Sequence, residues 1–353
     1  MTAKPVRLLV LGTGGMARSH VEHLSAIPGV SVVAGVDTNP GQLAKFCDDH
    51  GIAQRFATLD NALKWGGFDA ATNVTPDPVH HPTTMALLGA GKHVLCEKPL
   101  ATDQHKAREM ADTAARAGVI NMVNLTYRNV PALQKAALMV AAGEIGTVRH
   151  FEASYLQSWL TQGAWGDWKT QSQWLWRLSS AHGSRGVLGD IGIHIIDFAT
   201  FVAGSAPAEV SCRLKTFAKA AGDRIGEYVL DVNDSFAMHL SLQNGAVGTI
   251  SATRFATGHH NDLRLGIYGD TGGLEVSFVQ AVSRLRACLG ADVEAPEWRD
   301  VATESVPKVY DRFIAAIRGE GLPIPDFTRG ADLQRVLDLA EDSDRQGGKS
   351  LAI

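Results

Sequence analysis

The chain has 353 residues, enough for two domains, and its hydrophobic content of 45% supports well-packed cores. Lys and Arg (33) nearly balance Asp and Glu (37), and no basic cluster stands out, so nucleic acid is not expected as a partner. The 4 cysteines are widely spaced, without a CxxC pair, and no apolar run approaches the ~18 residues of a membrane helix. We therefore expect a cytoplasmic protein with reduced thiols and no membrane association.

The first third of the chain alternates strand and helix patterns. Short apolar runs predict buried parallel strands at "VRLLVLG", "VSVVAGVD", "DAATNVT", "KHVLCEKP" and "INMVNLT". After "YRNVPA" the pattern changes to a helix (about 131–143) and long alternating strands, with hairpins at Asn244–Gly245 and Asp270–Gly273. We predict an α/β protein: a doubly wound parallel sheet over 1–127, then an α+β domain over 128–353 with a large, mostly antiparallel open sheet.

A cofactor loop is predicted in the first strand–helix unit. Gly12, Gly14 and Ala17 form a GxGxxA pattern that follows a strand and opens a helix, the arrangement that places a pyrophosphate at a helix N-terminus. The next strand ends at Asp37, which is placed to bond the adenosine ribose and favours NAD over NADP. The expected cofactor contacts in this loop are Gly12, Thr13, Gly14, Gly15 and Met16.

Further polar residues follow other strands of the first domain, at the edge where open α/β sheets bind ligands. Thr75, Pro76 and His80 follow one strand, and Glu97 and Lys98 follow the next; we expect all five to contact the cofactor. Asn124 and Arg128, after the last strand, are candidates for substrate binding, with structural pairing as the alternative.

The segment "GDIGIHIIDF" carries Asp190, His194 and Asp197 among isoleucines. At ~100° per residue these three side chains fall within roughly 60° on a helix. Burying unpaired carboxylates is costly, so the pattern favours a helix that lines a polar cleft.

Five motifs in order resemble the glucose–fructose oxidoreductase / inositol dehydrogenase / MocA family over essentially the whole chain: "GTGGMA", "TPDPVHHP", "EKP", "YRNVP" and "GDIGIHIIDF". The resemblance implies a Rossmann domain and a second domain whose open sheet often serves in oligomerisation. It also implies nicotinamide-dependent oxidation or reduction of a sugar, cyclitol or similar polyol. By the same resemblance Lys98, Asp190 and His194 are catalytic residues that also contact substrate, and Asp197 contacts substrate.

The chemistry of alcohol oxidation agrees with these roles. Either Lys98 or His194 fits the role of proximal base, Asp190 would orient the imidazole or take up the proton, and Lys98 would stabilise alkoxide charge. Two alternatives remain: a glycosidase that uses NAD for transient oxidation, and a non-catalytic NAD-binding regulator. The presence of all three residues argues against the regulator.

The second domain suggests two further features. Its five clustered tryptophans would form a wall against a sugar ring or pack within the protein. Alternating Phe236, Met238, Leu240 and Leu242 would expose an apolar sheet face, so we expect a homodimer or homotetramer. The adjacent histidine pairs lack a ligand constellation, so no metal is expected.

Overall fold

The computed structural model describes residues 4–353, which divide into two compact units. The first unit comprises the chain up to Thr126 together with Pro307–Gln334. The second comprises Tyr127–Val306 and Arg335–Ile353.

The first unit contains a six-stranded parallel sheet in the order β3-β2-β1-β4-β5-β6. The strands are β1 (Val6–Leu11), β2 (Val30–Val36), β3 (Gln54–Phe56), β4 (Ala70–Asn73), β5 (His93–Cys96) and β6 (Asn121–Val123). The strand order reverses between β1 and β4, and ligands bind at the carboxyl ends of strands beside such a reversal. The sequence pattern missed β3, which has only 3 residues and no buried apolar side chain.

Five helices connect these strands: α1 (Gly15–Ser25), α2 (Pro40–His50), α3 (Leu59–Trp65), α4 (Asp77–Gly89) and α5 (Gln104–Ala117). Helices α2, α3 and α5 begin at a side-chain cap, whereas α1 and α4 do not. Asp103 accepts a hydrogen bond from the Lys106 amide at the start of α5, and Gly118 ends that helix in the left-handed conformation.

The second unit contains a nine-stranded mixed sheet in the order β16-β15-β14-β13-β7-β12-β11-β8-β17, in which β7 and β12 form the parallel pair. The strands are β7 (Val148–Leu156), β8 (Pro207–Lys215), β11 (Ser235–Leu242), β12 (Val247–Thr253), β13 (Asp262–Gly269), β14 (Gly272–Val279), β15 (Val282–Leu289), β16 (Arg299–Asp300) and β17 (Leu351–Ala352). A separate ribbon pairs β9 (Arg224–Ile225) with β10 (Tyr228–Val229). The helices are α6 (Pro131–Ala141), α7 (Ser172–Leu175) and α8 (Ile193–Ala203). Both predicted hairpins, β11–β12 and β13–β14, are present.

Two C-terminal helices follow, α9 (Val309–Arg318) and α10 (Phe327–Arg345). The expected division at 127/128 assigned residues 307–334 to the second domain, whereas the structure groups them with the first unit. The reason is the apolar face of α9, where Tyr310 and Phe313 share a buried cluster with Leu8 of β1. Within residues 4–353, no helix has both the length and the apolar character needed to cross a bilayer.

The predicted apolar sheet face is buried within the second unit. Phe236, Met238, Leu240 and Leu242 are each less than 5% exposed. Alternate residues of a strand point to opposite faces, and these four occupy the face that the chain itself covers. A Cβ on Gly192, which precedes α8, would lie 3.0 Å from the Phe236 ring, so close packing explains this glycine. These four residues therefore do not form the exposed apolar patch predicted for an oligomer interface.

Candidate active site

The glycine loop is shaped for a pyrophosphate. Gly12 has φ +87°, and a Cβ there would lie 2.7 Å from the Val74 carbonyl oxygen, so only glycine fits. At Gly14 and Gly15, in contrast, a Cβ would meet no atom within 4 Å. Helix α1 begins at Gly15 with no side-chain cap and no acidic residue in its first turn. Its backbone N–H groups can therefore receive an anion.

Asp37 lies beside this loop at the end of β2. One carboxylate oxygen accepts hydrogen bonds from the Thr13 amide (2.8 Å) and hydroxyl (2.7 Å), and the other accepts from the Asn39 amide (2.8 Å). The partly exposed carboxylate is fixed in place and retains acceptor capacity for ribose hydroxyls. These residues fit the NAD predicted from the sequence.

Glu97 and Asn124 are directed into the first unit. One Glu97 oxygen lies 2.8 Å from His20 Nε2 and accepts from Asn124 Nδ2 at 2.7 Å, and the other accepts from the Lys98 amide at 3.1 Å. Burial raises the pKa of Glu97, but the hydrogen bonds from His20 and Asn124 outweigh it and hold the pKa at about 2. Asn124 is wholly buried and also donates to Tyr310 Oη at 3.2 Å. It is therefore part of an internal network, which is the structural pairing expected as the alternative to substrate binding.

His80 also differs from the prediction of a cofactor contact. Its ring is wholly buried, with Nδ1 2.8 Å from the Pro99 carbonyl oxygen and Nε2 2.7 Å from the Thr75 carbonyl oxygen. Both ring nitrogens are thus engaged by the backbone of the two turns that follow β4 and β5. The Thr75 hydroxyl bonds Asn73 Oδ1 at 2.7 Å, which further fixes the first of these turns.

In the second unit, Asp190 lies between two arginines. One of its oxygens accepts from Arg177 Nη1 at 3.2 Å and the other from Arg254 Nη2 at 3.1 Å. Arg254 is wholly buried, with its guanidinium 4.9 Å from the Trp159 ring centroid. Burial lowers the pKa of Arg254, while Asp190 opposes that effect. The two guanidinium groups therefore fix the orientation of the Asp190 carboxylate through charge-assisted hydrogen bonds.

The predicted continuous helix over the motif is interrupted. Residues Leu188–Gly192 form a π-helical turn, and α8 begins at Ile193. His194 is 8% exposed, and its ring meets Tyr127 edge-to-face at 4.9 Å between centroids. Tyr127 bonds the Tyr155 hydroxyl at 2.5 Å, and Tyr155 donates to Asn261 Oδ1 at 2.9 Å. Burial raises the pKa of Tyr127 to about 12, so this phenol remains protonated near neutral pH.

Arg128 and Asp197 form a buried bidentate ion pair. The two bonds measure 2.6 Å (Nε to Oδ2) and 2.8 Å (Nη2 to Oδ1), and the guanidinium lies 3.5 Å from the Phe201 ring centroid. Both side chains are less than 10% exposed. This is the structural pairing that was the alternative for Arg128, and it differs from the predicted substrate contact for Asp197.

The tryptophans fall into two groups. Trp159 and Trp168 are buried in a cluster with Leu160, Leu175, Leu178 and Leu230. Trp165 stacks on His260 at 3.8 Å, and Trp176 is 38% exposed beside the Arg177 guanidinium. Core packing therefore accounts for some of them, and Trp176 offers aromatic surface. Residues 4–353 contain no cluster of three or more His, Cys, Asp or Glu side chains positioned to bind a metal ion.

The sequence patterns do not indicate a role for four residues around these groups: Arg177, Arg254, His20 and Tyr127. Arg254 follows β12 directly and is wholly buried. Charged side chains are rarely buried unless they are paired, so a buried arginine here implies an acidic partner. Tyr127 belongs to the "YRNVP" motif, but nothing in its spacing indicated a contact with His194.

The parallel sheet with strand order reversed beside an open glycine loop defines the first unit as a Rossmann domain. Residues 6–125 match the family model described as "Oxidoreductase family, NAD-binding Rossmann fold", and residues 133–275 match "GFO/IDH/MocA C-terminal domain". The chain belongs to the glucose–fructose oxidoreductase / inositol dehydrogenase / MocA family, and its first unit is an NAD-binding Rossmann domain.

Similar proteins agree with this assignment. Levoglucosan dehydrogenase of Pseudarthrobacter phenanthrenivorans is 31% identical over 273 residues, which cover 72% of this chain and 66% of that protein. The 1,5-anhydro-D-fructose reductase of Ensifer adhaerens is 33% identical over 203 residues, 57% of each chain. The chain therefore spans slightly under two thirds of the first relative and less of the second. The crystal structure of an oxidoreductase domain protein from Kribbella flavida superposes with a TM-score of 0.86 at 29% identity, covering 100% of both chains.

Proposed function

We propose that this protein is an NAD-dependent dehydrogenase that transfers a hydride between a hydroxyl-bearing carbon of a sugar, cyclitol or related polyol and the nicotinamide. The observation that carries the proposal is the position of Asp190, which accepts hydrogen bonds from Arg177 and Arg254 in the turn before His194. The names of the relatives, a levoglucosan dehydrogenase and a 1,5-anhydro-D-fructose reductase, support the same substrate class.

Each proposed group has a distinct task in the oxidation. NAD, when bound, supplies the acceptor for the hydride, which leaves the carbon with its electron pair as the carbonyl forms. His194 takes the hydroxyl proton on its imidazole. Lys98 donates a hydrogen bond to the reacting oxygen and stabilises its developing negative charge. Asp190, fixed by its arginines, balances the imidazolium and accepts hydrogen bonds from substrate hydroxyls.

A substrate screen tests this function. The protein is incubated with levoglucosan, D-glucose, 1,5-anhydro-D-fructose or scyllo-inositol, with NAD⁺ or NADH, and nicotinamide absorbance is followed. Net NADH formation or consumption with at least one polyol is the expected result. Cleavage of a glycoside without net change in NADH would instead identify a glycosidase, and NAD binding with no turnover would identify a regulator. Either of these outcomes would contradict the proposal.

We also propose a homodimer or homotetramer, now on a different surface argument. The exposed face of the nine-stranded sheet carries polar and charged side chains, among them Glu152, Arg264 and the ion pair of Glu275 with Arg286 (2.9 Å). Exposed Val247 lies on an inner strand, β12. A broad sheet face whose described side chains are exposed to solvent suits pairing with a second copy. Light scattering should give a multiple of the chain mass, and a single monomeric species at micromolar concentration would refute the proposal.

A further inference from the structure

The environment of His80, in the first turn of α4, sets its protonation state. Nδ1 lies 2.8 Å from the Pro99 carbonyl oxygen and Nε2 lies 2.7 Å from the Thr75 carbonyl oxygen. Carbonyl oxygens only accept hydrogen bonds, so each ring nitrogen must carry a proton to bond its partner. A neutral ring would direct a nitrogen lone pair at a carbonyl oxygen at one of these short distances, which is repulsive. Only the imidazolium satisfies both contacts.

We propose that His80 is a buried imidazolium that ties the Thr75 turn to the Lys98–Pro99 turn and thereby positions Lys98. It is a positioning residue, because its ring touches backbone oxygens of these turns and is wholly buried. The part of this inference that concerns catalysis rests on the proposed role of Lys98, whereas the protonation state of His80 stands independently.

The surroundings compensate the buried charge. Burial lowers the pKa of His80, but the Cys96 sulfur on β5, the Asp77 carboxylate on α4 and the bond to the Pro99 carbonyl together raise it to about 10. Two carbonyl dipoles oriented toward the ring further lower the cost of burying a cation.

Lys98 is thereby held on both sides. On one side its own amide donates to Glu97 Oε2 at 3.1 Å, and Glu97 is anchored to His20 of α1. On the other side the carbonyl of Pro99 accepts from His80. The residue that we assign to the reacting oxygen thus sits between two buried anchors, and the His80 anchor also fixes a second turn at the ligand-binding edge of the sheet.

Nuclear magnetic resonance of the ¹⁵N-histidine-labelled protein tests the protonation state directly. We expect both His80 nitrogens to show a directly bonded proton from about pH 6 to about pH 9, well above the ~6.5 at which an ordinary histidine titrates. The His80→Asn variant assigns the signals by their loss. An unprotonated nitrogen on His80 at about pH 8 would overturn the proposal, and this experiment needs neither NAD nor a substrate.

Two substitutions separate the two bonds. Asparagine places its amide nitrogen near the position of Nδ1 and can keep the bond to Pro99, whereas glutamine reaches the position of Nε2 and can keep the bond to Thr75. We expect His80→Gln to lower kcat about tenfold more than His80→Asn, because the glutamine releases the Lys98 turn; a tenfold ratio corresponds to about 1.4 kcal/mol. NADH affinity, measured by fluorescence titration, should be kept better by His80→Gln.

The neighbouring His81 provides the matched control. It lies on the same helix, is partly exposed and pairs with Glu109 at 2.8 Å, so His81→Asn and His81→Gln should change neither kcat nor NADH affinity. Equal kcat for the two His80 variants, or a lower melting temperature with unchanged kcat, would contradict the positioning role. Normal turnover of Lys98→Ala would instead remove the proposed role of Lys98, while the His80 resonances would still report its charge.

Discussion

The Arg128–Asp197 pair gives the sharpest test of whether this part of the motif binds substrate or supports the fold. Both side chains are less than 10% exposed and share two hydrogen bonds of 2.6 and 2.8 Å. Removing one partner deletes both of these hydrogen bonds from a buried charge, and breaking a buried ion pair in this way costs about 3–5 kcal/mol. We therefore expect Asp197→Leu to lower the free energy of unfolding of the second unit by that amount, and Arg128→Met to have a similar effect.

The double variant distinguishes lost pairing from lost packing. Arg128→Met combined with Asp197→Leu removes both charges and fills the space with apolar side chains, so it should be within about 1–2 kcal/mol of the wild type. The assay is urea unfolding followed by near-ultraviolet circular dichroism, with each unit's transition fitted separately. If Asp197→Leu unfolds like the wild type and only raises KM for the polyol, the carboxylate is a substrate contact and our reasoning is wrong.

Three further predictions concern the two units separately. His194→Ala should lower kcat by about 10²–10⁴-fold and leave NADH affinity nearly unchanged. In steady-state kinetics, the His194→Ala/Asp190→Ala double variant should lose less kcat than the product of the two single losses. Wild-type kcat/KM should favour NAD over NADP by at least about tenfold, and Asp37→Ser should reduce that ratio; equal use of both cofactors by the wild type would contradict the assignment. Because the pKa of Glu97 is lowered to about 2, its ionised form stabilises the fold above about pH 4.5, and this stability is lost as the pH falls toward 2. Glu97→Gln should abolish that component of the acid dependence, up to about 3 kcal/mol, in unfolding measured across this range.

The sequence predicted the fold well because its signals are local. Apolar runs of four to seven residues, bounded by glycine and polar residues, correspond to β1, β2, β4 and β5. The turn at Asn244–Gly245 joins β11 and β12 as predicted. Strand β3 has no local pattern and is not predicted. Local patterns also do not group residues 307–334 with the first unit, because the partners of α9 lie about 300 residues earlier in the chain.

The partners of the site residues could not be predicted for the same physical reason. His20 and Glu97 are 77 residues apart, and Asp190 and Arg254 are 64 apart, so no helical or strand periodicity links them. The glycine loop could be predicted, because its function depends on backbone conformation and on residues adjacent in sequence. The roles of His80 and Asn124 could not, because both depend on the burial that the completed sheet imposes.

The sequence alone does not distinguish the environments of the polar residues in the isoleucine-rich motif, whereas the structure does. Two carboxylates and an imidazole on a nearly apolar helix predict a polar cleft, because burying an unpaired charge costs free energy. The two carboxylates are paired in different ways. Asp197 forms a buried ion pair with Arg128, whereas Asp190 pairs with two arginines and its side chain stays partly exposed. Periodicity therefore indicates the polar residues, whereas their arginine partners lie outside the motif and cannot be read from it. We therefore propose Asp190 and His194 as the reactive pair, and we expect Asp197 to support the fold around α8.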